Sequence, residues 1–205
     1  DVERSRGLGD VYKRQDTALA HSENSASDSG RWSRCYGSLN ATRHIKDDQS
    51  SEFAAEGSVA HTVREQALEM GFDAYDFIGQ SFAEDGFTFQ VTDEMADNVQ
   101  PGIDEIREYE GQLFVEKWVD TTATVGLDTK GRRQGGTLDA GVAGEKLIVI
   151  SDLKYGMGVP VQAVDNDQQV IYAVNFWDQI ARHITDAKEF LIIIDQPRNC
   201  LLYTS

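Results

Sequence analysis

Apolar positions in this chain change their spacing along its length, and the changes predict the order of elements. Between Ala54 and Met70, Val59, Val63, Ala67 and Met70 recur at i, i+4, i+8 and i+11. That is one face of a helix, with Gly71 placed to stop it. A second helix is predicted from Thr92, as N-cap, toward Tyr109. Asp93 and Glu94 suit its first turn, and Pro101 is expected to kink or interrupt it. The period then shortens to two. Gln112–Asp120 (QLFVEKWVD) alternates, and Gly135–Ala143 and Lys146–Tyr155 read as two more strands, with Gly144-Glu145 as a tight hairpin turn between them. Gly156 and Gly158 close this block. Gln162–Arg182 predicts a long helix with Val170, Val174, Trp177 and Ala181 on one face. Glu189–Asp195 (EFLIIID) is a continuous apolar strand, as expected when both faces are buried. The closing strand–helix–strand implies one parallel crossover. The expected class is therefore α/β, a central mixed β-sheet flanked by helices.

The segments before and after this pattern read differently. Asp16–Ser29 is rich in Ser, Ala and Asp and is expected to be poorly ordered. Trp32, Cys35 and Tyr36 suggest a short helix docking on the core. Residues 1–15 (DVERSRGLGDVYKRQ) and 199–205 (NCLLYTS) resemble translated sequencing-adapter remnants. The expected organisation is a disordered or non-native segment over 1–29, one domain over 30–198, cut short at its C-terminus, and a non-native tail over 199–205.

Composition narrows the class. The chain has 205 residues, 40% hydrophobic and 26% charged, which fits one globular domain. Its longest clean apolar run, Phe190–Ile194, is far short of the roughly 20 residues a membrane span needs. Two cysteines exclude a disulfide-stapled fold, so no membrane association and a cytoplasmic setting are expected. The net charge of −16 lacks the basic footprint usual for nucleic-acid binding. Phosphates can still be held locally by a few lysines and divalent cations. Lys130, Arg132 and Arg133, just before the second strand, are the candidate patch.

Candidate chemistry lies where the strands meet. Asp152 and Lys154 are separated by two on a strand and share a face. A turn at Gly144-Glu145 pairs Ala143 with Lys146, which sets Asp139 opposite Ile150 on that same face. Glu116 lies on the neighbouring strand. Two carboxylates held close repel, and a divalent cation removes the conflict. Mg²⁺ takes one or two carboxylates plus waters and phosphate oxygens. A nearby lysine can orient water or stabilise charge building on phosphorus oxygens. An Asp–Lys pair on a solvated sheet face has the same spelling.

The ordered set adds context: Gly57-Ser58-Val59-Ala60-His61, then Gly136-Thr137-Leu138-Asp139, then Asp152-Leu153-Lys154, then Gln168 and Tyr172 at i and i+4. Together these resemble the RecB-like branch of the PD-(D/E)XK nucleases, over roughly residues 30–198. The strings AAEGSVAH, GTLDA, DLKYGMGV and IIIDQPR are similar to an uncharacterised group of phage- and prophage-encoded members. The resemblance implies a restriction-endonuclease-like core and a Mg²⁺- or Mn²⁺-dependent DNA nuclease, an exonuclease of recombination or repair type, in a bacterial or phage-infected cell. It implies His61, Asp139 and Asp152 as metal ligands and Asp139, Asp152 and Lys154 as catalytic residues. Gln168 and Tyr172 would support the site or touch DNA, and Glu116, from its place on the neighbouring strand, is read as a supporting carboxylate or an extra ligand. Some relatives carry an iron–sulfur cluster; here the late cysteines are missing, so none is expected. Partners implied are DNA, a recombination protein and further copies of the chain. The alternatives are a non-catalytic interaction protein on the same scaffold and a metal-dependent hydrolase of small phosphate esters.

Overall fold

The computed structural model describes residues 23–35, 37–42, 51–157, 160–199 and, for the backbone, 201–204. Tyr36, Gly158 and Cys200 lie outside the described residues. The order is α1 (Ser29–Trp32), α2 (Ser38–Thr42), α3 (Glu52–Met70), β1 (Ser81–Glu84), β2 (Phe87–Gln90), α4 (Asp93–Arg107), β3 (Gln112–Asp120), α5 (Thr122–Val125), β4 (Gly135–Ala143), β5 (Leu147–Leu153), α6 (Asp167–Gln179), β6 (Glu189–Gln196) and β7 (Leu201–Thr204). Strands β3-β4-β5-β6-β7 form one sheet in that order, antiparallel except for the parallel β5–β6 pair that α6 connects. The protein is thus α/β with a mixed sheet between helices. No helix among the described residues is long and apolar enough to cross a membrane.

Two apolar layers hold the sheet. One joins α3 and α4 to Ala140, Val142, Val149, Leu153 and Ile193. The other joins Ile171, Tyr172 and Phe176 of α6 to Leu138, Ile148 and Ile150. Helix α3 starts at Ser51, whose hydroxyl accepts from the Ala54 N–H, and stops at Gly71 with φ +71°. Its buried face is wider than the predicted stripe. Ala60, Arg64 and Leu68 are buried beside Val59, Val63 and Ala67, while Met70 is exposed.

Other expectations need correction. Helix α4 runs unbroken through Pro101. A proline removes one N–H and crowds one carbonyl, but burial of Val99, Ile103 and Ile106 in the core outweighs that cost here. Helix α6 begins at Asp167, capped by Asn166, not at Gln162, and Val170 and Val174 are exposed. Its buried face is Gln169, Ile171, Tyr172, Ala173, Asn175 and Phe176, where two polar residues break the apolar pattern. Residues 23–29, expected to lack order, are folded: Ala26 is buried and the Trp32 indole N–H bonds the Ser25 carbonyl. Leu201–Thr204, set aside on composition, pairs as an edge strand with β6. Backbone ladders make no demand on sequence origin. The β1–β2 hairpin had no expectation at all, although Asp85-Gly86, both at positive φ, is a strong hairpin turn.

Gly102 of α4 sits against β6. A Cβ there would overlap the Asp195 carboxylate. Gly102→Ala is therefore expected to destabilise the protein by about 1 kcal/mol net in urea unfolding, overpacking outweighing the helix-propensity gain. An unchanged midpoint would show that Asp195 moves aside freely.

Candidate metal centre

The site is built where the regular alternation of two strands fails. On β3, Phe114 and Val119 both pack toward α6, with Val115 on the α3 side. On β4, Leu138 packs toward α6, yet Ala140 and Val142 pack toward α3. Both strands slip phase at the same point. Val115 pairs Ala140 and Lys117 pairs Leu138, leaving Glu116 and Asp139 between them outside the ladder. Glu116 carries the slip in its backbone, at φ +43°, a left-handed conformation that costs a non-glycine residue about 1–3 kcal/mol. Such strain persists only where the surrounding structure holds it, and here it turns two carboxylates toward α3.

Helix α3 meets them with His61 and, one turn on, Arg64. One ligand atom from each of His61, Glu116 and Asp139 lies within 4.8 Å of the other two. Oδ2 of Asp139 collects every close contact. The His61 Nδ1 is 3.2 Å away, Arg64 NH1 is 4.0 Å away, and the Leu153 N–H donates to it at 2.9 Å. Burial works to raise the Asp139 carboxyl, but His61, Arg64 and the Leu153 N–H together hold it below its ordinary value. His61 is pushed the other way: burial opposes its charge, and the Asp139, Asp152 and Glu116 carboxylates outweigh that and raise it. Burial, with the Asp139 charge second, lifts Glu116 to about 8.

One strand over, Asp152 is almost fully buried. Its Oδ2 pairs with Lys154 Nζ at 2.7 Å, and its Oδ1 accepts from Gln168 Nε2 at 3.0 Å. Burial and then the Asp139 charge raise its carboxyl, against Lys154. The β4–β5 register differs from the expected one. Gly144 bonds Leu147, so Glu145-Lys146 is the two-residue turn and Ala140 pairs with Ser151. The shift is two residues, so the faces are kept, and Asp139 stands level with Asp152 instead of Ile150. Gln168 and Tyr172 share the inner face of α6. The Tyr172 hydroxyl lies over Gly136, where a Cβ would come within 2.7 Å, so the glycine of the GTLD string admits this ring.

All seven predicted site residues gather at this end of the sheet, with roles redistributed. Glu116, read as a supporting carboxylate or an extra ligand, stands in the three-residue cluster. Asp152 stands beside it, engaged by Lys154 and Gln168. Arg64 escaped sequence reading, and its place one turn after His61 was the available clue. Glu56 and Arg198 were also unforeseen as a pair: the guanidinium grips the carboxylate at 2.7 and 2.8 Å and lies 4.2 Å from the Tyr155 ring centroid. This joins the start of α3 to the ends of β5 and β6. In the expected basic patch, Arg132 pairs with Asp128 and Arg133 with Asp120, and both arginine side chains stay largely exposed.

Glu116 makes a stability test. Its folded pKa, about 8, lies above the ordinary 4.5, so its contribution is fully present below about 4.5 and is lost as pH rises through 8. With chelator present, stability is expected to fall between pH 5 and 8. Glu116→Gln should remove on the order of 2 kcal/mol of that fall, read from urea midpoints. An identical slope in both proteins would show that the carboxyl is not perturbed.

A groove of about 700 Å³ lies beside the Asp152–Lys154 pair, with Lys154, Gln168, Arg34, Gly30 and Pro160 among its lining residues. At the start of α3, a Cβ on Gly57 would meet no atom of the described residues within 4 Å. Residues 21–202 match the model of a family described as a protein of unknown function (DUF2800). No solved structure matches the chain.

Proposed function

The chain belongs to the DUF2800 family, and we propose that it is a Mg²⁺- or Mn²⁺-dependent DNA nuclease of RecB-like type. One observation carries the reading. His61, Glu116 and Asp139 offer ligand atoms within 4.8 Å of one another, and the Asp152–Lys154 pair adjoins them across one strand. The donor set of one imidazole nitrogen and carboxylate oxygens suits Mn²⁺ and Mg²⁺. A divalent cation bound there supplies Lewis acidity toward a phosphoryl oxygen and a more acidic water.

The chain's own groups do the rest. The Leu153 N–H holds the Asp139 carboxylate in place, and the Arg64 charge stands behind it. Lys154, about one-third exposed, stands between buried Asp152 and the groove. Its ammonium has three donors, and the Asp152 contact leaves others for a phosphoryl oxygen or an attacking water. Gln168 holds the other Asp152 oxygen and so keeps the ammonium aimed outward. Exonuclease action, a recombination partner and assembly into several copies follow from the family resemblance and belong to the same proposal.

The test is cleavage of linear and circular DNA, single- and double-stranded, with Mn²⁺ or Mg²⁺ and with chelator. Loss of linear DNA that chelator abolishes supports the reading, and survival of circles supports an exonuclease. Cleavage that ignores chelator, or none by a folded protein on any substrate, overturns it.

A further inference from the structure

We infer that Arg64 limits this centre to a single divalent cation, an inference that rests on the metal-centre reading above. Arg64 is 2% exposed, and its position is poorly served by hydrogen bonds. NH2 donates to the Ser151 hydroxyl at 2.6 Å, but Nε and NH1 have no hydrogen-bond partner among the described residues. A guanidinium buried this way is costly unless opposite charge surrounds it. That charge is present: Asp139 Oδ2 is 4.0 Å away, and the buried Asp195, whose Oδ2 also has no hydrogen-bond partner among the described residues, lies within electrostatic range. Arg64 contributes little as a structural donor and a great deal as a fixed positive charge behind the carboxylates.

Position limits the site to one ion. In two-metal sites the ions lie about 3.5–4 Å apart and share a carboxylate. The two carboxylates standing level across β4 and β5 are Asp139 and Asp152. Asp139 Oδ2 is already shared by His61, the Leu153 N–H and Arg64, and the two Asp152 oxygens are held by Lys154 and Gln168. A second cation there would meet two side-chain cations. Removing Arg64 takes the fixed positive charge from behind Asp139 and empties one of those positions.

The experiment is Mn²⁺ titration by calorimetry with parallel electron paramagnetic resonance, on the wild-type chain, Arg64→Met and Arg64→Lys, each checked for folding by circular dichroism. Expected is one ion with an uncoupled signal for wild type and Arg64→Lys. Arg64→Met is expected to take a second ion about tenfold or more tightly than wild type does, with an exchange-coupled signal. Should Arg64→Met not fold, Arg64→Gln, which keeps a donor for Ser151, replaces it. Two ions in wild type, or one ion in every variant, overturns the inference and leaves the metal centre standing. No Mn²⁺ bound by folded wild type overturns the metal centre itself, a separate result.

Discussion

Lys154→Ala is expected to lower metal-dependent DNA cleavage by about a thousandfold or more, with Mn²⁺ affinity changed far less. The argument starts from where the lysine stands. It follows the last residue of β5, its backbone N–H held at 2.7 Å by the Asp195 carbonyl, so the stem leaves the sheet at a fixed point. The side chain then returns its ammonium to within 2.7 Å of a buried carboxylate. An ammonium held at the boundary between a buried acid and an open groove is already oriented before substrate arrives, and this preorganisation gives a fixed charge its effect on a developing oxyanion. Alanine removes the charge and leaves Asp152 buried without its counter-ion, so some loss of stability accompanies the loss of activity. Lys154→Arg is not expected to rescue cleavage, because a planar fork cannot place a point charge in the same position. Turnover by Lys154→Ala within a few-fold of wild type, in a folded protein, would remove the lysine from the reaction.

The sequence carried much of the scaffold because the scaffold depends on local patterns. β3 and β4 have the boundaries that alternation predicts, and the β5–α6–β6 crossover follows from an apolar run, a helix period and another apolar run. The failures share a cause. Val170 and Val174 looked like a buried face because apolar residues are usually inside. On α6, however, the face nearest the site carries Gln168 and Tyr172, and a site demands polar groups where a core would not. Arg64 was invisible for the same reason, since a buried arginine reads as a solvated one. The hairpin turn was misplaced by one residue, which no local preference separates when Gly144, Glu145 and Lys146 all suit a turn. The phase slip at Glu116 and Asp139 could not be read, because it needs two strands to break alternation at matching positions and neither strand shows it alone. That slip is the feature that brings Glu116 into the cluster and leaves Asp152 beside it. Where sequence rules fail together in space, function is the usual reason.

The division of labour between Asp139 and Asp152 predicts a contrast larger than any fold effect. Asp139→Asn is expected to weaken Mn²⁺ binding by about a hundredfold or more and to abolish cleavage. An amide can still accept the Leu153 N–H, so the strand contact survives. It cannot supply the negative charge that His61 and Arg64 face at 3.2 and 4.0 Å, and its NH₂ would point at one of them. Stability should fall too, by about 1–3 kcal/mol, because Arg64 is left buried with less opposite charge. Asp152→Asn should behave differently. Its carboxylate is engaged by Lys154 and Gln168 and stands outside the three-residue cluster. Mn²⁺ affinity is expected to stay within about tenfold of wild type while cleavage is lost, since the amide no longer holds the ammonium in place. Calorimetry with Mn²⁺ on the two variants reads this directly. If Asp152→Asn loses the ion and Asp139→Asn keeps it, the ligand set is the one the motif spelling implies and not the one the phase slip assembles. If both lose it equally, the cation lies between the two aspartates and Glu116 has no share in holding it.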